Sequence, residues 1–66
     1  MEVKFNGELM SIQSVYLSEL LEERALNGKT GIAVAVNSTV VSKSKWSKTM
    51  LQENDEILII TAAAGG

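Results

Sequence analysis

Ile32, Ala33, Val34, Ala35 and Val36 run without a polar interruption, large residues at 32, 34 and 36 alternating with alanines at 33 and 35. A run that is apolar on both alternating sets predicts a strand covered on both sides, an interior strand with neighbours along both edges. In a chain of 66 residues this demand occupies much of the fold, because the remaining segments must supply both the neighbours and the cover. One domain fits, and a chain this short buries only about 60% of the surface that its unfolded state exposes. Cys and His are both absent, so neither a disulfide nor a structural zinc site can brace so small a core, and packing alone must hold it.

The neighbours can be read from period and punctuation. Val3 and Phe5 alternate with Glu2 and Lys4, the period-two signature of a strand over residues 2–6. Asn6-Gly7 tolerates positive φ at both positions, the chemistry of a tight hairpin turn, and a second strand follows over residues 8–13. From Val15 the period changes. Leu17, Leu20 and Leu21 share one helical face with Ala25 close by, while Glu19, Glu22, Glu23 and Arg24 take the polar side, which predicts a helix over residues 16–26. Ser14 or Ser18 is the candidate N-cap, and Asn27-Gly28 the left-handed terminator.

Asn37 and Ser38 suit a turn, Thr39 to Val41 a short strand, and Ser42 to Lys48 a polar loop or single helical turn whose Trp46 closes one end of the core. Asn54 and Asp55 mark another turn before a last strand, Glu56 to Thr61, rich in β-branched residues. The order strand, strand, helix, strand, strand, strand implies an α+β fold, one mixed sheet of about five strands with a single main helix packed on one face.

Composition narrows the function. Six basic residues against eight acidic ones leave no electrostatic footprint for nucleic acid. The N-terminus lacks the features of a secretory signal and no apolar run approaches a membrane span, so the expectation is a cytoplasmic chain with no membrane association. Without Cys or His the chain lacks the commonest nucleophile, the commonest general base and the softest metal ligands, so neither catalysis nor a bound metal is expected of it. Glu19, Glu22 and Glu23 read as the solvated face of the helix, and Lys43, Lys45 and Lys48 as a solvated loop. Glu53, Asp55 and Glu56 cluster without the spacing of a calcium loop.

The end of the chain is different. Ala62, Ala63, Ala64, Gly65 and Gly66 have no bulky side chain to pack, and residues 62–66 are expected to form a flexible tail beyond a domain of residues 1–61. With no β-carbons, Gly65 and Gly66 can thread a narrow channel and present the α-carboxylate to another protein's active site. A carboxylate is a poor electrophile until it is activated, for instance as an acyl adenylate made from ATP, and a partner enzyme must do that. Taken alone, the Gly-Gly end also fits a chance pair or a truncation.

Further residues bear on that choice. Ile32 Ala33 Val34 Ala35 Val36 Asn37, then Val40 Val41, Trp46, Asn54 Asp55 Glu56 Ile57 Leu58 Ile59 Ile60 and the terminal Ala64 Gly65 Gly66 resemble the ThiS family, the sulfur carrier proteins of thiamine thiazole synthesis. The resemblance spans the chain, including the Asn6-Gly7 hairpin and Glu19 Leu20 Leu21. Asn54 stands where the family usually has Gly, and Ser42 where a Pro is common. The resemblance implies a β-grasp, ubiquitin-like fold and a Gly66 carboxylate that an E1-like adenylyltransferase activates with ATP. Conversion to a thiocarboxylate then lets it deliver sulfur to thiazole synthase. ATP and magnesium belong to the activating partner, and no cofactor is bound by the chain itself. The same resemblance turns Ile57 and Ile59 toward the helix and leaves Leu58 and Ile60 on the open sheet face beside Ala33 and Ala35, a candidate partner-binding surface. A plastid stroma is the organellar counterpart of the cytoplasmic expectation.

Three other readings share part of this pattern. The small subunit of molybdopterin synthase has the same fold and terminal thiocarboxylate, on chains that are usually longer. A protein-conjugating ubiquitin-like modifier would form isopeptide bonds to target lysines. A non-covalent β-grasp binding module would carry its Gly-Gly incidentally.

Overall fold

The computed structural model describes residues 1–26, 28 and 30–61. Strand β1 (Glu2–Phe5) pairs antiparallel with β2 (Glu8–Ser11), Lys4 opposite Leu9 and Phe5 opposite Glu8. Asn6 (φ 52°) and Gly7 (φ 85°) make the turn with the positive dihedrals that a two-residue hairpin loop needs. Both strands are shorter than expected. Asn6 leaves β1 because its positive φ belongs to the turn. Beyond Ser11 a single link persists, Ile12 N–H to the Met1 carbonyl at 2.8 Å, with the terminal ammonium donating back to the Ile12 carbonyl at 2.9 Å.

Strands β3 (Ile32–Val36), β4 (Thr39–Val41) and β5 (Glu56–Thr61) have the expected bounds. The five strands form one sheet in the order β2-β1-β5-β3-β4, with β5 parallel to β1 and antiparallel to β3. The last strand in the sequence is therefore the central one, and the sheet is mixed, as expected. β3 is interior between β5 and β4, but the expectation of cover on both sides fails. Val34 is fully buried in the core, whereas Ala33 is only half-buried on the opposite face. Ala35 is buried on that face because Leu58 and Val40 stand opposite it on either side and overhang so small a residue, with no second layer required.

The covering layer is α1 (Leu17–Glu23), which lays Leu17, Leu20 and Leu21 over Val3, Val34 and Ile57, all six fully buried. Thr49 to Leu51 tie the start of the helix down, since Leu17 N–H donates to the Thr49 carbonyl (2.9 Å) and Leu51 N–H to the Val15 carbonyl (2.7 Å). Trp46, in the 3₁₀ turn Lys43–Lys48, closes one end of the core as expected, and its Nε1–H donates to the Val41 carbonyl at 2.9 Å. Ser42 adopts φ −67° and ψ 150°, a geometry that proline also holds, so the serine keeps the backbone path of the loop.

Neither end of the helix uses the expected residues. Tyr16 occupies the N-cap position, and the Glu19 carboxylate accepts hydrogen bonds from the Val15 (2.8 Å) and Tyr16 (3.0 Å) N–H groups. These bonds, Tyr16 first and Val15 second, hold the Glu19 carboxyl below its ordinary pKa because they favour the ionised form. Ser18 lies inside the helix, and the buried Ser14 hydroxyl donates to the Glu23 carboxylate instead of capping. At the far end, Ala25 takes the left-handed step (φ 57°) ahead of Asn27-Gly28. Ala25 N–H donates to the Glu22 carbonyl (3.0 Å) and Leu26 N–H to the Leu21 carbonyl (2.7 Å), the paired bonds of a Schellman motif. Leu26 packs against the core, and the chain turns two residues before Asn27 to seat it there. Asn27 lies outside the described residues.

An alanine at positive φ costs about 1 kcal/mol relative to glycine. Ala25→Gly is therefore expected to raise the melting temperature by about 4–8 °C. A thermal melt that shows no rise would contradict a left-handed Ala25.

Candidate functional site

β5 connects the sheet to the Gly-Gly end, so its two faces decide what surrounds the tail's origin. Ile57 is fully buried beneath α1 and Ile59 packs against the core. Leu58 and Ile60, pointing the other way by the alternation of a strand, are 40% and 48% exposed. The register sets Ala35 opposite Leu58 and Ala33 opposite Ile60, so these four residues share the face turned away from the helix, the orientation that the family resemblance implies. Gly66, Gly65, Ala64, Ala63 and Ala62 lie outside the described residues.

Two further apolar residues belong to this face. Val40 stands opposite Ala35 on β4 and is 65% exposed, which makes Val40, Ala35 and Leu58 one row across three strands. Leu9 lies farther along, opposite Lys4, which in turn pairs with Glu56. The face is thus graded along β5, charged at Glu56 and apolar at Leu58 and Ile60, toward the tail. Val40 could have been found in the sequence, because Val41 is a core residue and its neighbour must point away; Leu9 follows in the same way from Met10.

Asparagines at turn positions fasten β5 on both sides. Asn37 accepts from the Glu56 N–H at its Oδ1 (3.0 Å) and donates from its Nδ2 to Asp55 Oδ1 (2.9 Å). Asp55, buried, accepts also from the Gln52 N–H at 2.8 Å, so its carboxylate is committed to the turn before β5. Asn54 takes φ 69° in that turn, the left-handed conformation for which asparagine replaces glycine with least strain. On the other side, Asn6 Oδ1 accepts from the Ile59 N–H at 2.9 Å.

The charged clusters do not converge on a reaction centre. A shallow acidic depression is lined by Gln13, Ser14, Glu19, Glu22 and Glu23, but Glu19 is engaged by backbone N–H groups and Glu23 by Ser14. Among the described residues no three His, Cys, Asp or Glu side chains are grouped to hold a metal ion. No helix among them is long and apolar enough to cross a membrane.

A five-stranded mixed sheet gripping one helix, with the central parallel strand running on into a Gly-Gly end, defines a ubiquitin-like β-grasp domain. The ThiS family model matches residues 3–66, and the chain belongs to the ThiS family. The sulfur carrier protein ThiS of Escherichia coli (strain K12) is 29% identical over 66 residues, covering all of both chains. The crystal structure of a thiamine biosynthesis protein (ThiS) from Geobacter metallireducens superposes with a TM-score of 0.85 at 19% identity, again over the whole of both chains. An NMR structure of a thiamine biosynthesis protein from the same organism gives 0.73 at 21% identity, covering all of this chain and 88% of that one. At these identities the two structures speak for the fold.

Proposed function

We propose that the chain is a sulfur carrier of thiamine biosynthesis, a protein co-substrate that partner enzymes act on. The observation that carries this reading is the family match, which continues through the tail to Gly66 itself. In the proposed cycle, an E1-like adenylyltransferase directs a Gly66 carboxylate oxygen onto the α-phosphorus of ATP, and pyrophosphate leaves. Sulfur at the sulfide level, as hydrosulfide, then attacks the acyl carbon, AMP leaves, and the resulting thiocarboxylate gives its sulfur to thiazole synthase. ATP and magnesium are the activating enzyme's.

The chain's own part is presentation. Gly65 and Ala62 to Ala64 form a lead without bulky side chains, and Leu58, Ile60 and Ala33 offer the partner an apolar contact at the end of the sheet where that lead begins, whereas Ala35, overhung by Leu58 and Val40, lies too deep to be touched directly. The reading carries with it the cytoplasm, or a plastid stroma, as the compartment in which ATP and both partners are met.

Purified chain incubated with its cognate E1-like enzyme, ATP and a sulfur donor is expected to give a product heavier by the exchange of one oxygen for sulfur, with the new mass on the C-terminal peptide. If no such product forms while the same enzyme preparation adenylates another carrier, the reading fails.

A further inference from the structure

The central strand outruns its neighbour. Along the β1 side of β5, Lys4 N–H donates to the Asp55 carbonyl and Asn6 N–H to the Ile57 carbonyl, both at 2.9 Å. The next donor in this parallel ladder is the Ile59 N–H, and a regular strand would meet it with the main-chain carbonyl of residue 6. The positive φ of Asn6 has already turned the main chain into the hairpin. The Asn6 side chain supplies the missing acceptor, its Oδ1 lying 2.9 Å from the Ile59 nitrogen. Among the described residues, this is the last hydrogen bond that holds β5 from the β1 side; beyond it, only the β3 ladder, ending at Ile32 opposite Thr61, restrains the strand.

We propose that Asn6 is a positioning residue for the C-terminal tail: its side-chain carbonyl fastens β5 at Ile59, past the point where β1 has turned away, and so sets the direction in which the chain leaves the sheet. The inference rests on the carrier reading, in which that direction matters because the tail must enter a partner's active site. A strand held on both edges up to Ile59 leaves fewer residues to be ordered when the partner binds, and each residue that must be ordered then costs conformational entropy. Loosening this end therefore weakens engagement without altering the chemistry at Gly66, so the effect falls on KM rather than on kcat.

The choice of residue is specific. Asn supports both tasks at once, tolerating the left-handed conformation of a two-residue turn and offering an amide carbonyl from it. Glycine would preserve the turn and lose the acceptor, whereas aspartate would preserve both. These two substitutions separate the turn from the anchor.

The test compares the wild-type chain with Asn6→Gly and Asn6→Asp by amide hydrogen exchange and by steady-state adenylation with the cognate E1-like enzyme. In Asn6→Gly, Ile59 exchange is expected to accelerate roughly three- to tenfold, the net worth of one hydrogen bond. KM for the carrier should rise by a similar factor with kcat within about twofold. Asn6→Asp should restore both. Wild-type exchange at Ile59 in Asn6→Gly would overturn the anchor, and unchanged KM with faster exchange would overturn its positioning role. Failure of Asn6→Asp to rescue would assign the effect to the turn instead. If the wild-type chain is not adenylated at all, the carrier reading falls and the positioning role with it, while Ile59 exchange still decides whether the anchor exists.

Discussion

Removal of Gly66 is expected to lower adenylation by the cognate E1-like enzyme by at least about 10²-fold and to leave the melting temperature unchanged. The first effect follows from reach. Each residue of extended chain spans roughly 3.3–3.6 Å, so the shortened chain presents its carboxylate that far from the α-phosphorus of ATP. A misplacement of only about 1 Å can already cost 10²-fold, because nucleophilic attack needs the reacting atoms in near contact and in line. The second effect follows from where the core is. The buried cluster and the apolar residues packed on it lie between Val3 and Ile59, and the last strand ends at Thr61. Carrier-dependent ATP–pyrophosphate exchange and thermal melts on the two chains measure both. Undiminished exchange by the truncated chain would remove Gly66 from the chemistry, and a lowered melting temperature would show that the tail carries part of the fold.

The strands were legible in the sequence because each carries its signal within itself. The alternation of β1, the apolar run of β3 and the β-branched stretch of β5 need no partner to be recognised, and the bounds of β3, β4 and β5 match to the residue. Their order in the sheet is not local information. Nothing in Glu56 to Thr61 declares that this strand slots between β1 and β3; that placement is settled by Ile57 and Ile59 closing the core under α1 and by the Asn6 and Asn37 side chains meeting β5 from either side.

The helix ends misled for a related reason. Ser14 has the propensity of a cap, but Glu23 captured its hydroxyl; Asn27-Gly28 has the propensity of a terminator, but the packing of the partly buried Leu26 against the core goes with a turn at Ala25. In each case a tertiary contact outweighed a preference of a few tenths to about 1 kcal/mol. Of the candidate site, the open-face residues Leu58, Ile60, Ala33 and Ala35 were legible through the family resemblance and agree with the register, while Val40 and Leu9 were missed although the same period-two logic reaches them. The role of Gly65 and Gly66 rests on sequence and family together.

Adjacent residues of β5 are expected to fail in opposite ways. Ile57 is fully buried beneath α1, and truncating such a side chain to alanine costs about 2–5 kcal/mol through lost transfer energy and the cavity left behind. A domain of this size has a total stability of about 0.05–0.15 kcal/mol per residue, so Ile57→Ala consumes a large share of it. The melting temperature should fall by on the order of 10 °C or more. Leu58, one residue on, is 40% exposed with its side chain on the open face, and Ile60 is 48% exposed. Leu58→Ala with Ile60→Ala removes contact area without opening a cavity in the core, and stability should change by about 1 kcal/mol or less. If this face meets the activating enzyme, losing two apolar anchors should raise KM for the carrier about tenfold or more with kcat nearly unchanged, the signature of binding energy shared by ground state and transition state. A double variant that is adenylated with wild-type KM would make the apolar end of the sheet an ordinary exposed surface. One that melts as early as Ile57→Ala would mean that the open face is part of the core. Measured together, the three positions separate what the strand does for the fold from what it does for the partner.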